Sequence, residues 1–447
     1  KLLPAYIHDH TIREALLQKA PRSASKTTKQ KDLDSKWPGQ RDRYGTTGTA
    51  LRTSPVQSTA TLTRATALPR DSMDTEPLVC TMGSRTSSKA MFPEDGLCEY
   101  IFFDSMYKDR RNLMSDDSGW APDLRTFVEV NREYRTTAFG VGFAFEKAAH
   151  IILNLQTTTT LPLKVFWDNA IYHFGIVDTP AVGLKQEAVD KAFEFLKLLG
   201  RHAKDRHSRT SYIAFAASVP DNTWAAYYAE KFRSDFQPNL FIVQGHYIEG
   251  DNIRPDCRVM PPTIVNRPQG GTYQHDMTTA VNSLPQLQPA FLIHMRWAIS
   301  VTMKGRWTAP LSGQRQNFFS RCSHNLSATP FGSLAEVCKD RNFKGRFTYY
   351  PREASMQARH ARERLLFSYD NEAGLCKKLC TVKAKQPSLS FGIAVFDLDY
   401  EDFSNSCASM TKEGAFSRLR AVRNILNYFR TLYKTAAHEA ACLRLIT

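Results

Sequence analysis

From Pro77 to the C-terminus, short apolar runs alternate with amphipathic stretches. That alternation limits the fold more than any other feature of the chain. The candidate strands are Leu78–Met82, Tyr100–Asp104, Ala138–Phe143, Ala170–Val177, Tyr212–Ala217, Leu240–Gln244, Leu292–Val301 and Phe391–Leu398. The clearest helix is 184–203. Its Ala188, Ala192, Phe195, Leu196 and Leu199 form an apolar stripe, and Gly200 weakens its end. A strand follows, then Asp221-Asn222-Thr223 supplies N-cap chemistry for a helix from Trp224 to Phe236. Pro238-Asn239 breaks into the next strand. Strand, helix, strand in this order implies parallel pairing through right-handed crossovers. The class is therefore α/β. About eight such strands suit a (β/α)8 TIM barrel, although a doubly wound sheet would give the same local pattern.

The first 76 residues differ in kind. Pro21 to Arg70 is rich in Ser, Thr, Lys, Arg and Pro and poor in large apolar residues. Such a stretch buries too little to offset chain entropy, so 1–76 is expected to be a disordered Ser/Thr/Lys-rich tail ahead of a domain spanning 77–447. The chain begins at Lys1 without a long apolar core, so no signal peptide is seen. No apolar run approaches the ~18 residues of a membrane span. The net charge of +15 raises a polyanion-binding reading. The cations are spread along the chain, however, and many sit at helical spacing beside acids, as in Lys185, Glu187, Asp190, Lys191, Glu194 and Lys197. That is a solvated helix face, and no nucleic-acid partner is expected. Nine cysteines leave at least one thiol unpaired if the others form disulfides. Cys376 and Cys380, four apart, fall on one helix face, with no His near enough in sequence to complete a metal site.

Near the C-terminus, Ser390-Phe391-Gly392-Ile393-Ala394-Val395-Phe396-Asp397-Leu398-Asp399-Tyr400-Glu401-Asp402-Phe403 is an apolar run that opens after a Gly and closes on carboxylates. It reads as a buried strand whose C-terminal end delivers acids to a surface. It resembles the last barrel strand of glycoside hydrolase family 18, the chitinases and chitinase-like lectins. There a Trp stands where this chain has Phe396. Pro77 to Cys80, followed by Leu97 to Phe103, is similar to the family's opening strands. Leu334-Ala335-Glu336-Val337-Cys338, Phe347 to Tyr350 and Phe367 to Asn371 resemble its insertion between strands seven and eight. Cys407 and Phe416 to Val422 resemble its closing helix, and the whole is similar to secreted chitinase-like proteins of arthropods, ticks among them. The resemblance spans about 77 to 430. It implies a TIM barrel with a small insertion between strands 7 and 8 and disulfides Cys80–Cys98 and Cys338–Cys407. It also implies secretion. Cys257, Cys322, Cys376, Cys380 and Cys442 stay unassigned. Asn325-Leu326-Ser327 is a glycosylation sequon for a secretory protein.

Active members of the family carry Asp-Gly-x-Asp-x-Asp-x-Glu at the end of strand four. The Glu protonates the glycosidic oxygen, and the substrate's own N-acetyl group attacks. The matching segment here runs from Ile171 to Val182. Gly175 keeps its place, but Val177, Thr179 and Ala181 stand where the two later Asp and the Glu belong. Asp178 is the sole carboxylate, and strand alternation would turn it to the other face. The sixth strand holds Gln244-Gly245-His246-Tyr247 in place of Met-x-Tyr-Asp. No catalytic residue, cofactor or metal site is assigned. The groove candidates are Asp178, Gln244, His246, Tyr247, Trp297 and Phe396. The leading expectation is a chitinase-like pseudoenzyme that binds chitin-like or other glycans or serves as a scaffold. The alternatives are a glycosidase with relocated carboxylates, drawn from Asp397, Asp399, Glu401 and Asp402, and a basic polyanion-binding protein.

Overall fold

The computed structural model describes residues 73–445, apart from 115–116, 158–160, 182, 205–209, 248–256, 269–275, 288–294, 312–316, 324–329 and 412. Most of the expected tail, and the sequon at Asn325, lie outside the described residues.

Seven parallel strands come first: β1 (Leu78–Met82), β2 (Tyr100–Met106), β3 (Ala138–Phe143), β4 (His173–Ile176), β5 (Ile213–Ala217), β6 (Leu240–Val243) and β7 (Arg296–Thr302). Six further strands follow: β8 (Gly305–Pro310), β9 (Cys322–Ser323), β10 (Phe331–Gly332), β11 (Phe347–Tyr350), β12 (Ser355–Arg359) and β13 (Leu366–Tyr369). They form an antiparallel sheet of order β10-β8-β13-β12-β11, with β9 paired to β8. The last strand, β14 (Gly392–Phe396), pairs in parallel with both β7 and β1. That last pairing separates a barrel from a doubly wound sheet, because it leaves β1 no free edge. The result is a closed (β/α)8 barrel with a sheet inserted between its seventh and eighth strands.

The apolar runs are unbroken because both faces of each barrel strand are buried. In β5, Ile213, Phe215 and Ala217 pack outward against helices, while Ala214 and Ala216 point into the barrel. In β14, Ile393 and Val395 face out and Ala394 and Phe396 face in. The outer layer is built from α1 (Pro122–Asn131), α2 (Ala148–Thr157), α3 (Lys164–Asp168), α4 (Gln186–Lys204), α5 (Asn222–Ser234) and α6 (Met277–Leu287). After these come α7 (Leu334–Lys339), α8 (Glu372–Lys385), α9 (Ser417–Thr431) and α10 (Glu439–Cys442). Asp221 caps α5 by accepting the Trp224 N–H at 3.0 Å. On α4 the expected Ala192, Phe195, Leu196 and Leu199 are buried, joined by Val189 and Phe193, while Ala188 is exposed. Gly200 stays inside that helix, where a Cβ would come within 2.9 Å of the Phe236 ring.

Two buried ion pairs lie where the insertion meets the barrel. Lys378 of α8 and Asp370 are both fully buried and 2.6 Å apart. The Lys378 ammonium also donates to the Thr263 carbonyl, the Thr263 hydroxyl and Ser355. Arg418 of α9 meets Glu401 at 2.6 Å. Its guanidinium donates as well to the carbonyls of Met303, Tyr400 and Asp370. Four disulfides close Cys80–Cys98, Cys257–Cys322, Cys338–Cys407 and Cys380–Cys442, leaving Cys376 as a buried thiol. No helix among the described residues is long and apolar enough to cross a membrane.

Candidate functional site at the barrel mouth

The C-terminal ends of parallel barrel strands, with the loops that follow them, form a concave face. Here that face holds a cavity of about 310 Å³. Asp104 reaches it from the end of β2, Val177, Asp178 and Pro180 from beyond β4, and His246 from beyond β6. Lys304 comes from the turn between β7 and β8, and Phe396 and Asp397 from the end of β14. Lys108, Asp109, Phe145 and Glu146 complete the wall.

Two carboxylates in this cavity have opposite surroundings. Asp178 is held by neutral donors. The Phe145 N–H donates to its Oδ1 at 2.9 Å, and the Ser105 hydroxyl lies 3.0 Å from its Oδ2 and 2.5 Å from Asp104 Oδ1. One hydroxyl proton thus serves two acids. Burial and the Asp104 charge push Asp178 up to about 6, against the pull of Lys108 and the two hydrogen bonds. Asp397 is clamped instead. Its Oδ1 is 2.8 Å from the Lys304 ammonium, and its Oδ2 accepts from the Thr302 hydroxyl at 2.6 Å. Its backbone sits in the left-handed region at φ 64°, with its N–H donating to the Thr81 hydroxyl at 2.9 Å. Burial works against the charged form, but Lys304, the nearby His246 and the hydrogen bonds hold Asp397 below the usual carboxylate range. Just behind it, burial and the Asp397 charge raise Asp399 to about 6.

The mouth's edge toward the inserted sheet alternates cations with rings. Arg85 lies 4.4 Å from the Tyr400 centroid, and Lys304 lies 5.1 Å from Tyr400 and 5.2 Å from Phe331. Arg306 is 5.4 Å from Phe331. Each such contact contributes about 0.5–2 kcal/mol. Together they hold Lys304, and through it Asp397, in place.

Three of the six groove candidates meet here: Asp178, His246 and Phe396. The His246 ring packs on Phe396 at 4.6 Å, and its Nδ1 is 2.6 Å from the Ser300 hydroxyl. Asp178 corrects the alternation argument. Strand β4 ends at Ile176, so two residues later the pleat no longer dictates direction and the carboxylate lines the cavity. Trp297 is a plain correction. Ala298 of β7 faces inward, which turns Trp297 outward onto Phe241 at 6.0 Å and Phe232 at 6.4 Å. Tyr247 also leaves the groove and packs with Met260 and Ile264. Gln244 is buried beneath the mouth, its Nε2 donating to the Thr179 carbonyl at 3.0 Å. Thr179 and Ala181 are buried too.

The six groove candidates omitted Asp104, Lys108, Lys304 and Asp397, although Asp397 stood among the carboxylates of the relocated-acid alternative. A usable signal existed for two of them. Asp104 closes a candidate strand, and Asp397 falls just after an apolar run, so both satisfy the rule that strand ends build the site. Lys108 and Lys304 follow their strands at distances no periodicity specifies. A second cavity of about 660 Å³, lined by Ile264, Val265, Phe318, Phe319, Arg267 and Arg352 among others, has Glu353 as its one acid. The chemistry therefore concentrates at the mouth. Among the described residues, no group of three or more His, Cys, Asp or Glu is placed to hold a metal ion.

No family model and no curated protein sequence matches this chain. Solved structures do. Catalytic domain 2 of the group II chitinase of Ostrinia furnacalis superposes with a TM-score of 0.59 at 13% identity, covering 79% of this chain and 97% of that one. The fold is that of the chitinases. A glycoside hydrolase family 18 N-acetylglucosaminidase from Paenibacillus barengoltzii matches with a TM-score of 0.51 at 13% identity, covering 78% and 99%. Human YKL-39, described as a pseudo-chitinase with retained chitooligosaccharide binding, matches at 0.55 and 13%, covering 78% and 98%. At such identities the likeness is one of fold, and it makes this a chitinase-like barrel.

Proposed function

We propose that this protein is a secreted chitinase-like pseudoenzyme that binds chito-oligosaccharides or related glycans at its barrel mouth without hydrolysing them by the family's mechanism. One observation carries the reading: Val177, Thr179 and Ala181, just beyond the end of β4, stand where the sequence resemblance puts the family's acids. None of them can protonate a leaving oxygen or orient an N-acetyl group. A general acid contributes ~10²–10⁴-fold, and losing the residues that position the N-acetyl group removes more. YKL-39 supports the reading as a protein of the same fold that keeps binding. The four disulfides support an oxidising compartment. The test pairs an insoluble-chitin pull-down with a fluorogenic chitobioside assay. Retention on chitin without turnover is the expected result, and robust turnover would end the pseudoenzyme reading.

A second reading has one observation in its favour. Asp178 and Asp397 line one cavity in environments that push their protonation apart, the pattern of an acid and a base. If the protein hydrolyses chito-oligosaccharides, Asp178→Asn should abolish that activity, and survival of turnover in this variant would discard the pair. A polyanion-binding protein would instead show steeply salt-dependent retention on heparin. The division into a tail over 1–76 and a barrel over 77–447 is part of the same proposal. Limited proteolysis should trim the first and leave the second, and a tail as resistant as the core would contradict it.

A further inference from the structure

Away from the mouth, three sulfurs sit together where α8 meets the C-terminal segment. Cys380 of α8 is bonded to Cys442 of α10. The free thiol of Cys376, one helical turn before Cys380, lies 3.8 Å from the Cys380 sulfur. It also lies 3.4 Å from the Cys442 carbonyl. We propose that Cys376, Cys380 and Cys442 form a thiol–disulfide exchange site that switches the C-terminal segment between tethered and released states.

The step is internally balanced. The Cys376 thiolate attacks the Cys380 sulfur, a Cys376–Cys380 bond forms, the Cys380–Cys442 bond breaks, and Cys442 leaves as a thiolate that takes up a proton. The number of disulfides is unchanged, so no oxidant or reductant is consumed. The product is sterically accessible. Residues four apart on a helix have Cα atoms about 6 Å apart, inside the ~4.4–6.8 Å range of disulfides.

The segment is built to come away. From Lys434 to Leu445, Cys442 is the one buried residue. Its non-covalent ties include the Tyr428 hydroxyl to the His438 carbonyl at 3.4 Å, the Tyr433–His438 ring contact at 6.1 Å and the partly buried Ala441 and Leu443 against the core. With Cys442 its one fully buried side chain, the Cys380–Cys442 bond is the covalent restraint that holds it to α8.

The thiol's environment sets the rate. Burial pushes Cys376 up to about 11, so exchange is slow near neutrality and quickens roughly tenfold per pH unit below that value. The ionisable groups on the elements packed around it are Glu372, Lys377, Lys378, Lys383 and Lys385 on its own helix, and Tyr349 of β11. Beyond these are His438, Glu439, and Arg418, Arg420, Arg423 and Arg430 of α9. Lys378 is committed to Asp370, Arg418 to Glu401, and Arg423 and Arg430 to Glu99. Among these, Glu439 and His438 lie on the segment that leaves.

The experiment holds the folded full-length protein at about pH 7 and about pH 9.5 with excess iodoacetamide, then maps it by non-reducing tryptic mass spectrometry. The three cysteines fall on separate peptides, 365–377, 379–383 and 435–444, so connectivity reads out directly. The expected result is alkylated Cys442 with a Cys376–Cys380 link, accumulating faster at the higher pH. Cys376→Ala and Cys376→Ser should both lose Cys442 alkylation while retaining the Cys380–Cys442 link. Several results would overturn the proposal: an unmodified Cys376 beside an intact Cys380–Cys442 bond, direct alkylation of Cys376, a Cys376–Cys442 link with Cys380 alkylated, or Cys442 labelling that survives in either variant.

Discussion

The two ends of this barrel treat buried charge in opposite ways. At the floor, Glu99 lies between Arg423 and Arg430 and also accepts the Leu78 N–H at 2.6 Å. Above it the barrel is plugged by rings, with His173 stacked on Tyr212 at 5.1 Å and Tyr100 edge-on to both. Burial drives His173 down to about 3, so it stays neutral there. At the mouth, Asp178 has only neutral donors and shares one hydroxyl with Asp104, while Asp397 is matched by a single lysine. The floor is arranged for cohesion. The mouth tolerates an acid whose charged form burial disfavours.

The largest effect that would break this contrast lies at the floor. Glu99→Ala leaves two guanidinium groups without their shared partner, and breaking a buried pair of this kind typically costs about 3–5 kcal/mol. Urea unfolding should register the loss, and a change below about 1 kcal/mol would mean the floor network is not what holds that end. Asp397→Asn comes next. It strips Lys304 of its counter-ion and should cost about 1–3 kcal/mol at neutral pH. The Asp397 contribution is present above ordinary carboxylate values and is lost as pH falls through its depressed folded value, so the penalty of the variant should shrink in acid.

Asp178→Asn should behave in the reverse sense. Its folded value of about 6 lies above the unfolded ~3.9, so the charged form weakens the native state above pH 6. The variant should match or exceed the parent in stability at pH 7. As pH falls from about 6 to about 4, the parent should gain on it. Unfolding curves for both proteins across that window decide the sign, and a parent that loses ground in acid would contradict the assignment. The smallest effect belongs to the surface. Arg420 and Glu94 form a half-exposed pair, and Arg420→Ala should change stability by less than about 1 kcal/mol.

Several features were legible before any coordinates. The apolar runs located the barrel strands, the Asp221 cap placed α5, and the wording around Phe391–Phe403 pointed to a chitinase-like barrel, which the fold bears out. These are local properties, written in the spacing of side chains along one strand or one helix. Tertiary structure alone decided the rest. Trp297 was a reasonable groove residue until the inward direction of Ala298 turned it into the outer core. Asp178 looked misdirected until β4 ended two residues before it. Asp104, Asp178, Lys304 and Asp397 lie as much as 293 positions apart, from 104 to 397, yet line one cavity. Likewise, nothing in the spacing of nine cysteines says that Cys442 returns to Cys380 and leaves Cys376 beside it. Periodicity reports which face a residue takes on its own element. Which strand ends converge depends on how the sheet closes on itself, and that is set by contacts among all eight strands at once.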